Sequence, residues 1–352
     1  LKAIKLDAYN DEAYYLLGEI YLKEKKNDAA REILQKGLDY VSKEGISQKK
    51  APLVHIGWAH LLLNEGKTTE ARSLMDEVLS AGKYKDADAL YAAGRANIDS
   101  KHGDITWAVE VLGKALKRDK KNPFVYTALA DAYKKVIDGS NAVIYYDKAL
   151  NVDSKFAEAY YKKGRLYKSH NNPQVFLEKF MSAVNVDSTY APALYELYYY
   201  YFYVDVSFAK KYQDAYLRHA EPSLENDYMR TDLLFVSQQY KEAIDGANKI
   251  INIAGNDLKP RIYKLLAYSQ AFIGDSTDAL KNMNIYFTKQ IDTSIVAKDY
   301  ELKAKLLEKL NPDKSLAVQW YKKALAAEED KKEEVGYMAS LAELQQELGN
   351  RE

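Results

Sequence analysis

The 352-residue sequence contains no cysteine, and its 51 Lys and Arg residues are balanced by 51 Asp and Glu residues. The absence of cysteine excludes disulfide bonds, thiolate catalysis and zinc sites built on thiolates. The zero net charge disfavours nucleic-acid binding by the whole surface, which needs an excess of basic side chains. The most apolar run, residues 194–204, carries Glu196 and is shorter than the ~20 residues of a membrane-spanning helix. No membrane-spanning segment is therefore predicted.

Signatures of catalysis are also scarce. The five histidines are scattered, and His55 and His60 are five positions apart, off the spacing of three or four that shares a helix face. The sequence has no HExxH motif, no glycine-rich phosphate loop and no GxSxG motif. An enzyme would need a buried cluster of titratable groups that the sequence does not indicate. We therefore predict no enzymatic activity, no catalytic residue, no metal site and no cofactor.

The sequence begins at Leu1, without an initiating Met and in the middle of a repeat. We expect that an N-terminal piece, with any signal peptide or lipid anchor, is missing. Localisation therefore stays open between the cytoplasm and the periplasm or envelope of a bacterium. The sequence does not indicate an oligomeric state.

What the sequence has is a repeated helical pattern, which is clearest in residues 123–156. Tyr126, Leu129 and Tyr133 recur at spacings of three and four, which places them on one helical face. A Gly-Ser-Asn turn and a second apolar stripe follow. The same pattern returns 34 residues later, in residues 157–190. It predicts pairs of short helices folded back on each other and stacked along the chain.

The pattern divides the chain into nine hairpins, with half a hairpin at each end, in a single solenoid over residues 1–352. A proline inside a helix costs ~3 kcal/mol but is tolerated in the first turn. Of the seven prolines, four fall at the starts of predicted first helices, two in turns within hairpins and one between hairpins, which supports this register. We predict a half hairpin over residues 1–10, hairpins that begin near residues 11, 52, 87, 123, 157, 191, 224, 260 and 297, and a final helix over residues 335–348.

The first complete hairpin carries the spacing Tyr14-x2-Leu17-Gly18-x2-Tyr21, followed by Ala30. This spacing resembles the tetratricopeptide repeat, a two-helix unit with a 34-residue period. The resemblance covers nearly the whole chain. It implies an all-α fold: an α-solenoid of stacked antiparallel helix hairpins, wound as a right-handed superhelix. Gly or Ala recurs where the two helices of a hairpin are expected to cross closely.

Two hairpins depart from this pattern. Tyr198 and Thr231 stand where the other first helices have Gly or Ala, and the second helix of the sixth hairpin fits the repeat poorly. We expect irregular stacking over residues 204–228, either as a kink or as a boundary between two rigid halves.

The family resemblance implies that the first helices line a concave groove for an extended peptide or a partner helix. Many first-helix positions not needed for packing are aromatic, and tyrosine suits binding surfaces because it combines a large ring with few rotors and a polar tip. The alternative, that tyrosine in this chain serves only for packing, stays open. The candidate groove residues are Tyr161, Arg165, Lys168, Tyr195, Tyr199, Phe202, Tyr203, Tyr228, Phe235, Tyr268 and Phe272.

Charge is uneven along the chain, with 14 basic and 7 acidic residues between positions 114 and 179. Basic first-helix residues in this stretch would favour a partner with carboxylates. The alternative is a solvated face with scattered lysine. Some family members grip a chaperone C-terminus with a Lys and an Asn four residues later, and we find no matching pair. The basic first-helix residues are Lys134, Lys135, Lys162, Arg165 and Lys168.

The predicted function is that of a non-catalytic interaction scaffold or adaptor, with a protein or peptide partner that the sequence does not identify. The alternative is a carbohydrate- or cell-wall-binding module of a bacterial envelope, with the same tyrosines as stacking platforms. The two functions differ in the shape they need. A glycan site needs two or three coplanar exposed rings, whereas a peptide groove needs rings separated by amide or charged side chains.

Overall fold

The computed structural model describes residues 10–349, apart from the side chain of residue 292. These residues form nineteen α-helices, two short 3₁₀ turns and no strand, so the predicted all-α fold of antiparallel helix hairpins is confirmed. The half hairpin expected over residues 1–10 lies, except for Asn10, outside the described residues. The chain divides into two compact units, Leu1–Ala193 (unit one) and Leu194–Glu352 (unit two).

Unit one contains five hairpins. Each first helix packs against its own second helix. The first helices of the first four hairpins also pack against a neighbouring first helix, and α9 packs against α8 of the fourth hairpin, so no hairpin buries its apolar face alone. The helices are α1 (Asp11–Lys23), α2 (Asn27–Lys43), α3 (Pro52–Asn64), α4 (Thr68–Ala81), α5 (Ala87–Asp99), α6 (Ile105–Arg118), α7 (Pro123–Lys135), α8 (Gly139–Val152), α9 (Ala157–Ser169) and α10 (Pro173–Val186).

Local capping explains where the helices of the fourth hairpin begin. Pro123 occupies the first turn of α7, where its missing N–H costs little, and the Asn122 side chain accepts a hydrogen bond from the Phe124 N–H at 3.0 Å. The Asp138 side chain accepts from the Asn141 N–H at 3.0 Å and caps α8. These two caps fix the register of the hairpin.

Small residues lie where the two helices of a hairpin cross. A Cβ atom on Gly18 would lie 2.7 Å from Leu34 Cδ2, and one on Gly94 would lie 2.6 Å from Leu112 Cγ. Both distances are well below the ~3.5–4.0 Å at which carbon atoms make favourable contacts. In the fourth hairpin the same place is taken by Ala130, which is fully buried. The helices of these hairpins can therefore approach only because these side chains are small.

Unit two contains four hairpins and a final helix, counting α11, most of which lies in this unit. The final helix begins at Lys331 rather than near residue 335. The helices are α11 (Ala191–Phe202), α12 (Val206–Leu217), α13 (Leu224–Val236), α14 (Tyr240–Ala254), α15 (Arg261–Phe272), α16 (Ser276–Lys289), α17 (Ala297–Leu310), α18 (Ser315–Ala327) and α19 (Lys331–Glu347).

The seventh hairpin accommodates Thr231 by placing the small residue on the other helix. Thr231 is buried on α13, and a Cβ atom on Gly246 of α14 would lie 2.6 Å from its Oγ1. The Thr231 hydroxyl donates a hydrogen bond to the Asp227 carbonyl at 2.8 Å. The two helices therefore cross closely although the first one lacks Gly or Ala.

The division between the units falls at residues 193 and 194, before the 204–228 stretch in which an irregularity was expected. That stretch lies in unit two and contains α12. Asp205 caps this helix by accepting hydrogen bonds from the N–H groups of Ser207 and Phe208. Irregular stacking over residues 204–228 stays a prediction.

Candidate functional site

Three tyrosines of α11 form an exposed file in unit two. Tyr195, Tyr199 and Tyr203 are spaced four positions apart, so they share one face of the helix, and 42%, 48% and 72% of their surface is exposed. The rings of Tyr195 and Tyr199 are 6.4 Å apart and inclined by 18°. Those of Tyr199 and Tyr203 are 5.7 Å apart and inclined by 77°. The first two rings of the file are therefore nearly parallel, whereas the third ring is edge-on to the second.

Other aromatic residues of α11 join this file to the core. Tyr198 is buried, and half-buried Phe202 lies edge-on to both Tyr198 at 5.8 Å and Tyr203 at 5.0 Å. Tyr201 stacks on Tyr212 of α12 at 5.7 Å. Tyr198 and Tyr201 are thus packing residues, whereas Phe202 supports the ring of Tyr203.

A second group of rings lies on the following helices of unit two. Phe235 of α13 is 6.4 Å from Tyr268 and 6.3 Å from Phe272, both on α15. Tyr240, at the start of α14, stacks on Phe272 at 4.6 Å and 14°. Sequence reasoning missed Tyr240 because it begins a second helix, although its aromatic type at a turn was a usable signal. The two groups together are called the aromatic surface: Tyr195, Tyr199, Phe202, Tyr203, Phe235, Tyr240, Tyr268 and Phe272.

An ion pair lies beside the aromatic surface. Nη1 of Arg261, the first residue of α15, is 2.7 and 2.8 Å from the two carboxylate oxygens of Asp232 on α13. Burial raises the pKa of Asp232 above its usual value, although Arg261 opposes the shift. Burial and a hydrogen bond with Tyr199 raise the pKa of Tyr203, and the charges of Asp232 and Arg261 act on it in opposite directions. The pair is therefore close enough to Tyr203 to add a charged element to the surface.

A buried carboxylate fixes one ring of the aromatic surface. The Asp299 side chain of α17 is fully buried, and Lys264 Nζ lies 2.7 Å from it. The hydroxyls of Tyr268 and Tyr286 donate to the same carboxylate at 3.1 and 3.3 Å. Burial and the charge of Asp299 raise the pKa of Tyr268. Tyr268 therefore contributes its ring to the surface, while its hydroxyl is already engaged.

Tyr228 does not belong to any open surface. It is fully buried, its hydroxyl accepts a hydrogen bond from the Lys259 N–H at 2.8 Å, and the Arg261 guanidinium lies 4.7 Å from its ring centre. The expectation that Tyr228 lines a groove is therefore wrong, because the chain leading into α15 covers it.

Unit one holds a similar but only partly buried carboxylate, Asp131 of α7, whose side chain is 17% exposed. Arg95 from α5 and Lys162 from α9 each lie 2.6 Å from it, and the Tyr146 hydroxyl donates to it at 2.7 Å. Burial would raise the pKa of Asp131, but Lys162 and Arg95 outweigh burial and hold it below its usual value. Lys162 also lies 2.6 Å from Glu158. A lysine expected to line a basic groove is thus neutralised by its neighbours.

The three candidate groove residues of unit one lie on α9. Tyr161 packs against Phe180 at 5.9 Å and against Tyr190 at 5.6 Å, so it is partly a core residue. Arg165 and Lys168 are exposed, and Arg165 Nη1 donates to the Tyr161 hydroxyl at 3.2 Å. The exposed aromatic candidates are therefore all in unit two.

Comparison with known protein families gives a match for the first hairpin. Residues 11–40, which comprise α1 and most of α2, match the sequence model of the tetratricopeptide repeat family. The first hairpin is thus similar to a tetratricopeptide repeat. No curated protein matches the chain.

The chain is also similar to several solved structures, each of them at most 20% identical to it. A tetratricopeptide repeat protein from Parabacteroides merdae ATCC 43184 has 20% identity and a TM-score of 0.43, over 72% of this chain and 97% of that one. The C-terminal part of a TPR repeat-containing protein from Cytophaga hutchinsonii has 16% identity and a TM-score of 0.46, over 71% and 97%. The MamA protein has 17% identity and a TM-score of 0.33, over 52% and 94%.

Tetratricopeptide repeats are in general scaffolds for protein–protein interaction and are typically non-catalytic, so the family implies protein partners. Within residues 10–349, no helix of the chain is both long enough and apolar enough to cross a bilayer. Among the described side chains, no group of three or more His, Asp and Glu residues is placed to hold a metal ion.

Proposed function

We propose that this protein is a non-catalytic scaffold that binds an extended peptide or partner segment on the aromatic surface of unit two. The observation that carries this proposal is the file of Tyr195, Tyr199 and Tyr203, three exposed rings on one helix face. Soluble proteins seldom leave large rings grouped in solvent without a use for them. Tyrosine supplies contact area at a low entropic cost, and its hydroxyl can bond to peptide groups.

Affinity in this proposal comes from ring contact more than from charge. Arg261 and Lys264 are engaged by Asp232 and Asp299, so neither offers a full unpaired charge to a partner. The Asp232–Arg261 pair beside Tyr203 would instead fix the direction of a bound chain through hydrogen bonds to its amides. Binding should therefore depend only weakly on ionic strength, since salt mainly screens exposed charges.

The geometry favours a peptide over the alternative, a glycan of a bacterial envelope. Tyr199 and Tyr203 are inclined by 77°, so they do not form a flat platform for a sugar ring. Tyr240 and Phe272 are near parallel at 4.6 Å, but they stack on each other, which covers one face of each ring. A charged pair also lies beside the rings, as a peptide site would have it.

The test is selection of peptides from a displayed random library, with a glycan array screened in parallel. Peptide affinities are then measured by fluorescence anisotropy for the wild type and for the double variant Tyr199→Ala, Tyr203→Ala. We expect at least about a tenfold loss of affinity, equivalent to ~1.4 kcal/mol. The matched control is Phe208→Ala, which removes an exposed ring of α12 outside the aromatic surface and should leave affinity unchanged.

Two outcomes would contradict the proposal. Selected peptides could bind the double variant as tightly as the wild type, which would place their site elsewhere. Alternatively, the array could yield glycans whose binding the double variant abolishes while no peptide is selected, which would favour the envelope module.

A further inference from the structure

A lysine in unit two lies among aromatic rings without an acidic partner. Lys303 of α17 is buried, with 8% of its surface exposed. Its Nζ lies 3.7 Å from the centre of the Trp320 ring and 4.7 Å from that of Phe287. Within the described part of the chain, no hydrogen bond or ion pair engages this ammonium. Lys162 and Lys264 differ from Lys303, because Lys162 forms an ion pair with Asp131 and Lys264 forms one with Asp299.

Three rings from three helices surround this side chain. Phe287 of α16 lies 5.2 Å from Tyr300 of α17 and 4.9 Å from Trp320 of α18, and Tyr300 lies 6.0 Å from Trp320. Ring faces attract a cation, but they do not replace the hydrogen bonds that water gave it. The environment of Lys303 therefore disfavours its charged form.

A second cation increases this effect. Lys323 of α18 lies with its Nζ 4.2 Å from the same Trp320 ring, so two ammonium groups share one aromatic neighbour. Burial first, and the charge of Lys323 second, lower the pKa of Lys303 to about 8. Near neutral pH a substantial fraction of Lys303 is thus an unprotonated amine, the form that acts as a nucleophile.

We propose that Lys303 is an acylation site for small acyl donors such as acyl phosphates. The lone pair of its neutral Nζ attacks the acyl carbon, and the bond between that carbon and the phosphate oxygen breaks. Phosphate leaves with the electron pair, the nitrogen gives one proton to solvent, and an amide remains. No oxidant, reductant or metal is needed. The product carries no charge, which relieves the repulsion with Lys323.

The expected selectivity follows from two opposing effects. At pH 7.5 the neutral fraction of Lys303 is about 190 times larger than that of an ordinary lysine with a pKa of ~10.4. A less basic nucleophile is also intrinsically weaker, and a Brønsted slope of ~0.4–0.5 over this difference removes a factor of about 10. We therefore expect Lys303 to react about 10- to 20-fold faster than an exposed lysine.

The probe is acetyl phosphate, applied to the intact chain at a limiting concentration, with sites quantified by peptide mass spectrometry. Lys309, an exposed residue on the same helix, is the internal reference. We expect the acetylation rate of Lys303 to exceed that of Lys309 about 10- to 20-fold at pH 7.5 and to level off above about pH 9, where its amine is almost entirely neutral. The rate of Lys309 should keep rising. Equal rates, or parallel pH profiles, would overturn the proposal.

A pair of variants separates reactivity from mere accessibility. Lys323→Gln removes the neighbouring charge, so the pKa of Lys303 should rise and its acetylation at pH 7.5 should slow severalfold. Lys322→Gln, the matched control at the next position, should leave the rate unchanged. Circular dichroism checks that both variants keep the helical fold. An unchanged rate in folded Lys323→Gln would mean that the lysine pair does not set the reactivity, and the proposal would fail.

Discussion

The crossing of α13 and α14 tests whether a small residue is needed where the two helices of a hairpin cross. In Gly246→Ala, the new Cβ would lie 2.6 Å from Thr231 Oγ1, so the Thr231 side chain or one of the two helices must shift. Overpacking of this kind costs ~1–3 kcal/mol. Replacing a helix-interior glycine by alanine returns ~0.5–1 kcal/mol through the backbone. We expect a net destabilisation of about 0.5–2 kcal/mol, the difference between these two effects.

The second substitution, Thr231→Ala, restores the small first-helix residue that the other hairpins use. Alone it removes buried atoms and should cost about 1 kcal/mol. Its hydroxyl bonds only to the Asp227 carbonyl of its own helix, so no partner loses its sole hydrogen bond. Combined with Gly246→Ala it removes the clash, and the pair should be more stable than the sum of the single changes predicts, by ~1–2 kcal/mol.

Hydrogen exchange measured by mass spectrometry on peptides of α13 and α14 is the suitable assay. It reports the free energy of local opening, which matters because repeat arrays need not unfold in one step. The double-mutant cycle is read from these local values, with peptides of unit one as the unaffected reference. If the effects of the two single substitutions are strictly additive, Gly246 and Thr231 do not compete for the same space. That result would refute the explanation that Gly246 is small because Thr231 is large.

Two other changes test backbone strain and buried charge. Ile137 is 92% exposed and has φ 63°, in a turn whose counterparts in other hairpins carry Gly66 at φ 81° and Gly274 at φ 89°. Ile137→Gly should therefore raise the free energy of unfolding by ~0.5–1 kcal/mol, as measured by chemical denaturation. A decrease would contradict the idea that the backbone is strained at Ile137. The pKa of Asp131 is held low in the folded state, so its stabilisation is present above the unfolded value of ~3.9 and is lost as pH falls through the folded pKa. Asp131→Asn should cost ~3 kcal/mol at pH 7 and flatten the dependence of the urea midpoint on pH between 3 and 7, and an unflattened profile would assign the acid sensitivity elsewhere.

The fold could be predicted from the sequence because its requirements are local and recur. Gly18 and Gly94 occupy crossings at which no Cβ fits, and Pro123 occupies the first turn of its helix. In each case a few nearby atoms allow only one or two residue types, so the residue type alone predicts a helix crossing or a helix start. The exchange between Thr231 and Gly246 was missed, since it needs the facing position on the partner helix and not only the first-helix pattern.

The exposure of the candidate rings could not be predicted in the same way. Tyr161, Tyr195 and Tyr228 hold the same position in successive first helices, three residues before the crossing, yet only Tyr195 is exposed. Tyr161 is covered by Tyr190, and Tyr228 by the residues that lead into α15. In each case the cover comes from the connection after the hairpin, whose path the repeat pattern does not specify.

The ion pairs between hairpins could have been predicted from the spacing of opposite charges along the sequence, which a count of basic residues does not take into account. Lys162 lies 31 positions after Asp131, and Lys264 lies 35 positions before Asp299, so each pair spans about one repeat. Opposite charges one repeat apart fall on neighbouring first helices and can meet. Lys162, one of the basic residues that suggested an acidic partner, therefore stabilises the stack itself. What the described first helices of unit two leave for a partner is ring surface, and for this reason the aromatic surface, more than any excess of charge, supports a binding role.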